Sequence, residues 1–348
     1  MPERYKIFEE LDHRGGHVVL KGYDMQAQSY VTLKQLLTRE EADSIAEERM
    51  VLFRSESERL TRMSHPCLIL FHTILNNEHG ICVITELLDG ISINSLLMRG
   101  PVNPHDFLQI AVSSLSAIGY AHQNEVLHRA LTTETIKVIR TEDEELDVYV
   151  LDLAYEHMTD AGQQSELSRR DDPDAALYLA PEQWTGGDLG AHTDLYALGC
   201  IFYYCLSKKH PFEGDSPQDT MERHLEHMVV QLHDLCPQLP GVLCDWVMWL
   251  INAAPECRPA SAQVALDSLC VLSGTTLDPV TDTVLEEDMT GEGIVPEMRK
   301  RRSLGMFLIL SVVAIALTIL GWFLFSSGSA IAMPFQDLVN SVTPVIHS

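Results

Sequence analysis

Residues 304–325 read LGMFLILSVVAIALTILGWFLF, twenty-two positions without a charge. A helix rises about 1.5 Å per residue, so the run spans roughly 33 Å, enough for a hydrocarbon core of about 30 Å. A buried core helix is rarely this long and this apolar on every side. The run is therefore expected to cross a membrane, and the rest of the chain must fold around that constraint. Arg299, Lys300, Arg301 and Arg302 stand immediately before it, while residues 326–348 hold no Lys or Arg. That asymmetry places the N-terminal side in the cytoplasm. Trp322 suits an interfacial anchor, and the basic cluster suits anionic headgroups. The expectation is a single-pass protein of the cell (inner) membrane with a short exterior tail. The first residues, MPERYKIFEE, show no apolar signal region, so the N-terminal part is expected to stay on the cytoplasmic side.

Charge narrows the partners. The formal net charge is −26, which repels phosphate backbones and argues against nucleic acid. Eight cysteines all precede the apolar run, and none forms a CxxC pair. That usage predicts reduced, mostly buried thiols, not a disulfide framework or a zinc site. Residues 274–298 carry seven acids and no base, with glycines and prolines among them. Such a segment is expected to be an extended linker.

Residues 1–273 change character along their length. Short β-branched runs come first: HVVLKGY, SYVTLKQL, CLILFHTIL and GICVITEL. A helical stretch at about 40–64 lies among them. From Pro104 onward helical periodicity dominates, as in HDFLQIAVSSLSAIGYAHQ and DLYALGCIFYYCLS. The pattern predicts an α+β architecture, a small sheet-rich part followed by a larger helical one.

A series of landmarks then falls in order. Lys34 ends a strand-like run, YVTLK, and Glu56 stands nine residues before His65-Pro66. ITELLDG follows at 84–90, and Val126-Leu127-His128-Arg129-Ala130-Leu131 comes after Tyr120-Ala121-His122. Val150-Leu151-Asp152-Leu153-Ala154, Tyr178-Leu179-Ala180-Pro181-Glu182, Asp194-Leu195-Tyr196-Ala197-Leu198-Gly199 and Arg258-Pro259 complete it. This order and spacing resembles the eukaryotic-type Ser/Thr protein kinases, and the architecture with one membrane helix resembles bacterial receptor-type kinases.

The resemblance implies a bilobal kinase-like domain over 1–273, with an N-lobe of about 1–88 and a C-lobe of about 89–273. A linker and basic cluster (274–303), a transmembrane helix (304–325) and a tail (326–348) follow. It implies that Lys34 and Glu56 form the pair that holds nucleotide phosphates. Thr85 becomes the gatekeeper, the backbone of Glu86 and Leu88 faces an adenine, and Val19 lines the nucleotide site. Asp152 becomes a magnesium ligand. His128, Arg129, Glu182, Asp194 and Arg258 become scaffold residues, with Arg258 paired to Glu182.

The chain departs from the family where the chemistry lies. The catalytic Asp position is Ala130, and a methyl group cannot accept a proton; loss of a general base typically costs about 10²–10⁴-fold. The lysine two positions on is Thr132, which removes a positive charge from the transferring phosphoryl group. The second metal-ligand position, Asn in the family, is Thr135. Glu134 beside it offers a carboxylate on a different direction of the chain. Glycine positions of the phosphate loop read Asp12, Arg14 and His17, while Gly15, Gly16 and Val19 survive. Glycines there let backbone amides approach phosphate closely. The apolar floor beneath the adenine becomes Lys137, or Val138 if the alignment slips by one. Ala154 replaces a glycine that normally hinges.

Lys34, Glu56 and Asp152 remain, either as a weak Mg-ATP site or as an ion-pair brace across the cleft. The leading expectation is a membrane-anchored pseudokinase that acts as a signalling scaffold and binds a protein partner. No cofactor is required, and ATP with magnesium is expected to bind weakly at most. The alternative is a weakly active, atypical Ser/Thr kinase. His224 and His227, flanking Glu226, are expected to be surface histidines, and Arg169-Arg170-Asp171-Asp172 a solvated loop.

Overall fold

The computed structural model describes residues 4–14, 17–36, 58–77, 80–100, 102–154, 170 and 172–273. The N-lobe is one antiparallel sheet built from β1 (Tyr5–Arg14), β2 (His17–Asp24), β3 (Ser29–Leu36), β4 (Phe71–Asn77) and β5 (Gly80–Glu86). Strand order is β1-β2-β3-β5-β4. In β3 the side chains alternate, Val31 and Leu33 inward and Tyr30 outward, as a strand with one buried face requires. Val31 and Leu33 meet Tyr5, Cys82 and Ile84 in a compact apolar cluster. β1 does not read as a strand from its sequence. It is rich in charge and leaves Phe8 and Leu11 exposed at the sheet edge, with register shifts at Ile7/Glu9 and Glu10/Asp12.

The β2–β3 turn is organised by Asp24. Its carboxylate accepts from the N–H groups of Gln26 (2.9 Å) and Ala27 (3.1 Å) and from Arg4 Nη2 (2.6 Å). The β1–β2 ladder runs out to Arg14 opposite His17, leaving two residues between the strands.

The C-lobe is built on two helices, α2 (Pro104–Gln123) and α5 (Ala191–Ser207), with α1 (Ile93–Arg99) before them. Asn103 starts α2 by accepting the Asp106 N–H at 2.9 Å, and Pro104 occupies the first turn, where no N–H is needed. A small sheet of β6 (Ile91–Ser92), β7 (Ile136–Arg140) and β8 (Leu146–Val150) packs on α2. The short α3 (Pro173–Ala176) and α4 (Pro181–Thr185) precede α5. Then come α6 (Pro217–Leu225), α7 (Leu232–Leu235), α8 (Gly241–Leu250) and α9 (Ala262–Ser273). Gly199 lets α8 close on α5: a Cβ there would lie 2.6 Å from Ile251 Cγ2 and 2.7 Å from Leu250 Cβ.

The segment that leads from the C-lobe surface into β4 is fixed at several points. The His65 ring stacks on Tyr120, its Nε2 lies 3.1 Å from Ser116 Oγ, and the Ser64 N–H donates to the Tyr120 hydroxyl at 3.2 Å. Ile69 N–H donates to Val150 C=O (3.0 Å), and Val150 N–H donates to Cys67 C=O (2.8 Å).

Several expectations meet the structure here. Residues 58–62 are helical, inside the expected 40–64 stretch, whose earlier part lies outside the described residues. The acidic linker, the 304–325 run and the tail also lie outside them. No helix among the described residues is long and apolar enough to cross a membrane. All eight cysteines are free, and only Cys257 is exposed.

Two expectations are corrected. His224 is not a surface residue: it is fully buried, its Nδ1 is 2.7 Å from the Tyr196 hydroxyl, and its ring lies 4.4 Å from that of Phe212. His227 is half-buried against the same Phe212 ring. α6 turns His224 inward and Leu225 outward, so one histidine fills the core. Arg170 is half-buried, and its Nε donates to the Gln183 carbonyl at 3.1 Å, while Asp172 caps α3 by accepting from the Asp174 N–H at 3.0 Å. Among the described residues no group of three His, Cys, Asp or Glu side chains is placed to hold a metal.

Candidate functional site

The cleft between the lobes brings Lys34 and Asp152 together. Lys34 is carried by β3, opposite Val19 on β2 and Val83 on β5. Asp152 follows the end of β8. Lys34 Nζ lies 3.0 Å from Asp152 Oδ2, and both side chains are partly exposed. Glu56, expected to share this lysine, lies outside the described residues.

Three of the eight described non-glycine residues with positive φ fall in this part of the chain. Arg129 (φ 64°), Asp152 (φ 59°) and Ala154 (φ 53°) all adopt the left-handed region without being glycine. Strain of this kind persists only where surrounding contacts impose it. The contacts are visible. Asp194, almost fully buried on α5, accepts the N–H of His128 (2.8 Å) and of Arg129 (2.7 Å), and sits 2.8 Å from His122 Nε2. Burial alone would raise the Asp194 pKa; the His122 hydrogen bond, nearby imidazoles and the His128 N–H outweigh it and hold it below the ordinary carboxylate value. His128 Nε2 donates to the Leu151 carbonyl at 2.8 Å, and burial lowers its pKa. One buried carboxylate therefore positions residues 128–129, which in turn hold the residue before Asp152.

The catalytic-loop positions themselves are closed off. Ala130, at the position where the resemblance expects an Asp, is a buried methyl, 5% exposed. Thr135 Oγ1 donates to the Thr132 carbonyl and accepts from the Thr132 N–H, both at 3.0 Å. Thr132 Oγ1 accepts from the Glu134 N–H at 3.2 Å. Both hydroxyls are engaged with the loop's own backbone. Glu134 is exposed, and its Oε1 accepts from Asn94 Nδ2 of α1 at 3.0 Å, so its carboxylate is held by α1. The donor set does not fit a pair of magnesium ions. Among the described residues it offers Asp152, already salt-bridged to Lys34, and Glu134, held by Asn94, while the Thr135 hydroxyl is engaged with Thr132.

The connector after β5 is anchored at its start. Glu86 exchanges hydrogen bonds with Leu70: its N–H donates to the Leu70 carbonyl (3.1 Å), and its Oε1 accepts the Leu70 N–H (3.0 Å). Thr85 Oγ1 donates to the Glu86 carbonyl at 3.2 Å, and Leu88 packs against the main core. On β7, Ile136 and Val138 enter the core, which leaves Lys137 on the other face.

Below the cleft, Arg258 is wholly satisfied. It donates to Glu182 Oε1 (2.8 Å) and Oε2 (3.0 Å) and to the carbonyls of Asn252 (2.7 Å), His192 (3.0 Å) and Ala253 (3.0 Å). Five N–H donors make five bonds. Burial would raise the Glu182 pKa, but the guanidinium overrides it and the net shift is downward.

Sequence reasoning missed Gln183. Only 3% exposed, it donates from Nε2 to the Arg129 carbonyl (3.0 Å) and accepts the Ala180 N–H (3.1 Å). It ties α4 to the catalytic-loop region, yet nothing in its composition marks a buried amide. Tyr178 acts similarly through Thr133, their hydroxyl oxygens 3.0 Å apart.

Comparison with known proteins agrees with this arrangement. The chain is 25% identical over 271 residues to a probable serine/threonine-protein kinase of Clostridium acetobutylicum, covering 77% of this chain and 40% of that protein. It is 26% identical to the serine/threonine-protein kinase PknB of Mycobacterium tuberculosis, over 65% of this chain and 36% of PknB. It thus spans about two fifths or less of these relatives. The crystal structure of the Mycobacterium tuberculosis PknI kinase domain superposes with a TM-score of 0.57 at 18% identity, covering 77% of this chain and 95% of that domain. A mutant form of the same domain gives 0.59 at 18% identity, covering 78% and 96%. The family model described as "Protein kinase domain" matches residues 13–268, and with the Glu182–Arg258 pair, the Asp194 anchor and the Lys34–Asp152 contact in place, the chain belongs to the protein kinase domain family.

Proposed function

We propose that this chain is a pseudokinase: a kinase-shaped module, held at a membrane by residues 304–325, that works by binding a protein partner. The observation that carries this reading is the state of the catalytic loop. Ala130 offers no base, and the Thr132 and Thr135 hydroxyls are engaged with the loop backbone. Glu134, the nearest substitute carboxylate, is held by Asn94. Phosphoryl transfer rests on positioning and electrostatics, and here the base, a metal ligand and the phosphate-loop glycines are absent together. The scaffold pair Arg258–Glu182 and the Asp194 contacts to residues 128–129, by contrast, are present.

The test is incorporation of the γ-phosphate of Mg-ATP into a general acceptor protein by the 348-residue chain in detergent, beside Lys34→Ala. Equal incorporation by the two is expected; transfer that needs Lys34 would overturn the proposal. Membrane attachment is tested separately by fractionating cells that express the chain with and without residues 304–325. Pelleting with membranes should be lost on truncation, and retention in the truncated form would remove this segment as the anchor.

The second reading, a weakly active Ser/Thr kinase, is favoured by one observation, the Lys34–Asp152 contact at 3.0 Å. The same transfer assay decides between the two.

A further inference from the structure

α9 is apolar on two sides. Ala262, Ala265, Leu266, Leu269 and Cys270 are buried, and with them the helix packs on α2 and α8. That seat is fixed: Trp246 Nε1 donates to the Ala265 carbonyl at 3.0 Å, and a Cβ on Gly119 of α2 would stand 3.4 Å from Ala262 Cβ. The solvent side is apolar as well. Val264, Val271 and Leu272 are 40%, 80% and 41% exposed. With the half-buried Ser268 they recur at i, i+4, i+7 and i+8, one stripe along a helix. Gln263 and Asp267 run along its edge, the Gln263 amide donating to the Asp267 carboxylate at 2.7 Å. A helix that is apolar on both sides is stable when both are covered.

The chain supplies a cover. It leaves α9 at Ser273 and continues through GTTLD to Pro279. Two antiparallel helices are joined by a loop of about 2–5 residues, and residues 274–278 fall in that range. Asp278-Pro279 is a helix start and Gly291 a helix stop. Between them Val280, Val284, Leu285 and Met289 share one side at helical spacing, with Asp282, Glu286 and Glu287 on the other. A segment so near in sequence meets the stripe at an effective concentration in the millimolar range, which a second copy or a separate protein lacks.

We propose that residues 279–290 fold back as a helix antiparallel to α9 and cover this stripe. Val280 and Val284 then lie against Val271 and Leu272, and Met289 against Val264. Docking shortens the tether. Residues 274–303 separate α9 from the apolar run, and with the hairpin formed only 291–303 stay free. At about 3.4 Å per residue the reach falls from about 100 Å to about 45 Å. This consequence rests on reading residues 304–325 as the membrane anchor; the docking does not.

The test is amide hydrogen exchange of the 348-residue chain in detergent, read by mass spectrometry. Residues 280–289 should exchange about tenfold slower, or more, in wild type than in a variant carrying Val271→Asp and Leu272→Asp. Val284→Asp with Leu285→Asp, which alters no residue of the kinase domain, should free 280–289 equally and speed exchange at the end of α9. Residues 280–289 exchanging in wild type at the rate of an unstructured peptide would overturn the proposal. So would protection that survives both variants, or protection that rises with protein concentration, which would give the face to a second copy. Should the Val271 variant unfold, fast exchange in α2 reveals it, and the Val284 variant decides alone. Loss of the anchor in the fractionation test would remove the tether consequence and leave the docking standing.

Discussion

Arg258 Nη1 and Nη2 reach the two oxygens of Glu182 at 2.8 and 3.0 Å, across seventy-six residues of sequence and with the guanidinium side chain fully buried. Removing one member of such a pair strands the other without water. Arg258→Ala is expected to cost about 3–5 kcal/mol. Urea denaturation followed by tryptophan fluorescence measures it, and a cost below about 1 kcal/mol would mean that water replaces the arginine.

The buried histidines make stability depend on acid. Burial pushes His224 down to about 3 and His210 down to about 4 from an ordinary 6.5. The unfolded chain therefore binds more protons than the folded one between 6.5 and those values. Their contribution is fully present above 6.5 and falls as pH drops towards the folded values, by at most about 1.4 kcal/mol per unit for each group. Glu182 and Asp194, both lowered, act in the same direction: their contribution is present above the ordinary carboxylate value and is lost below it. Melting temperature should fall steadily from pH 6.5 to 4.5, and His224→Phe should flatten that slope.

Ala154 holds a left-handed backbone at φ 53°. That conformation costs a non-glycine residue about 1–2 kcal/mol, which offsets the lost methyl and the freer unfolded chain in a glycine variant. Ala154→Gly should change stability by less than about 1 kcal/mol. Ala197→Gly, in the middle of α5, should cost about 1 kcal/mol or more. Equal losses at the two sites would refute the backbone argument.

Lys34 and Asp152 offer a double-mutant cycle. Asp152 keeps about a third of its side-chain surface, 35%, in solvent, so screening limits the pair. Lys34→Met and Asp152→Asn should couple by about 1 kcal/mol or less. A coupling of several kcal/mol would make the pair a structural brace.

The parts of this molecule that are legible in the sequence are those fixed by local pattern or by family spacing. The long helices α2 and α5 announce themselves by apolar periodicity, and β3 by alternation around Val31 and Leu33. Glu182, Asp194 and Arg258 are placed by the family's order of landmarks, and their contacts follow. What stays hidden depends on neighbours distant in sequence. β1 is held by pairing with β2 and carries no strand-like composition. Gln183 is buried because α4 docks on the Arg129 carbonyl, and His224 because α6 turns it onto Tyr196 and Phe212. Nothing local to these residues encodes the surface they meet.

The double tether of Val150 to Cys67 and Ile69, with His65 seated on α2, has a mechanical consequence. Residues 64–69 belong physically to the large lobe although they lead into the small one. A swing of the small lobe cannot begin until about Leu70, and on the other crossing it ends by Gly90, where the connector meets β7. The two crossings form an axle, with the Glu86–Leu70 exchange clamping one strand to the other at its centre. Lys34, on the lever side, rides past Asp152, on the fixed side, so its reach to that carboxylate gauges the opening angle of the lobes.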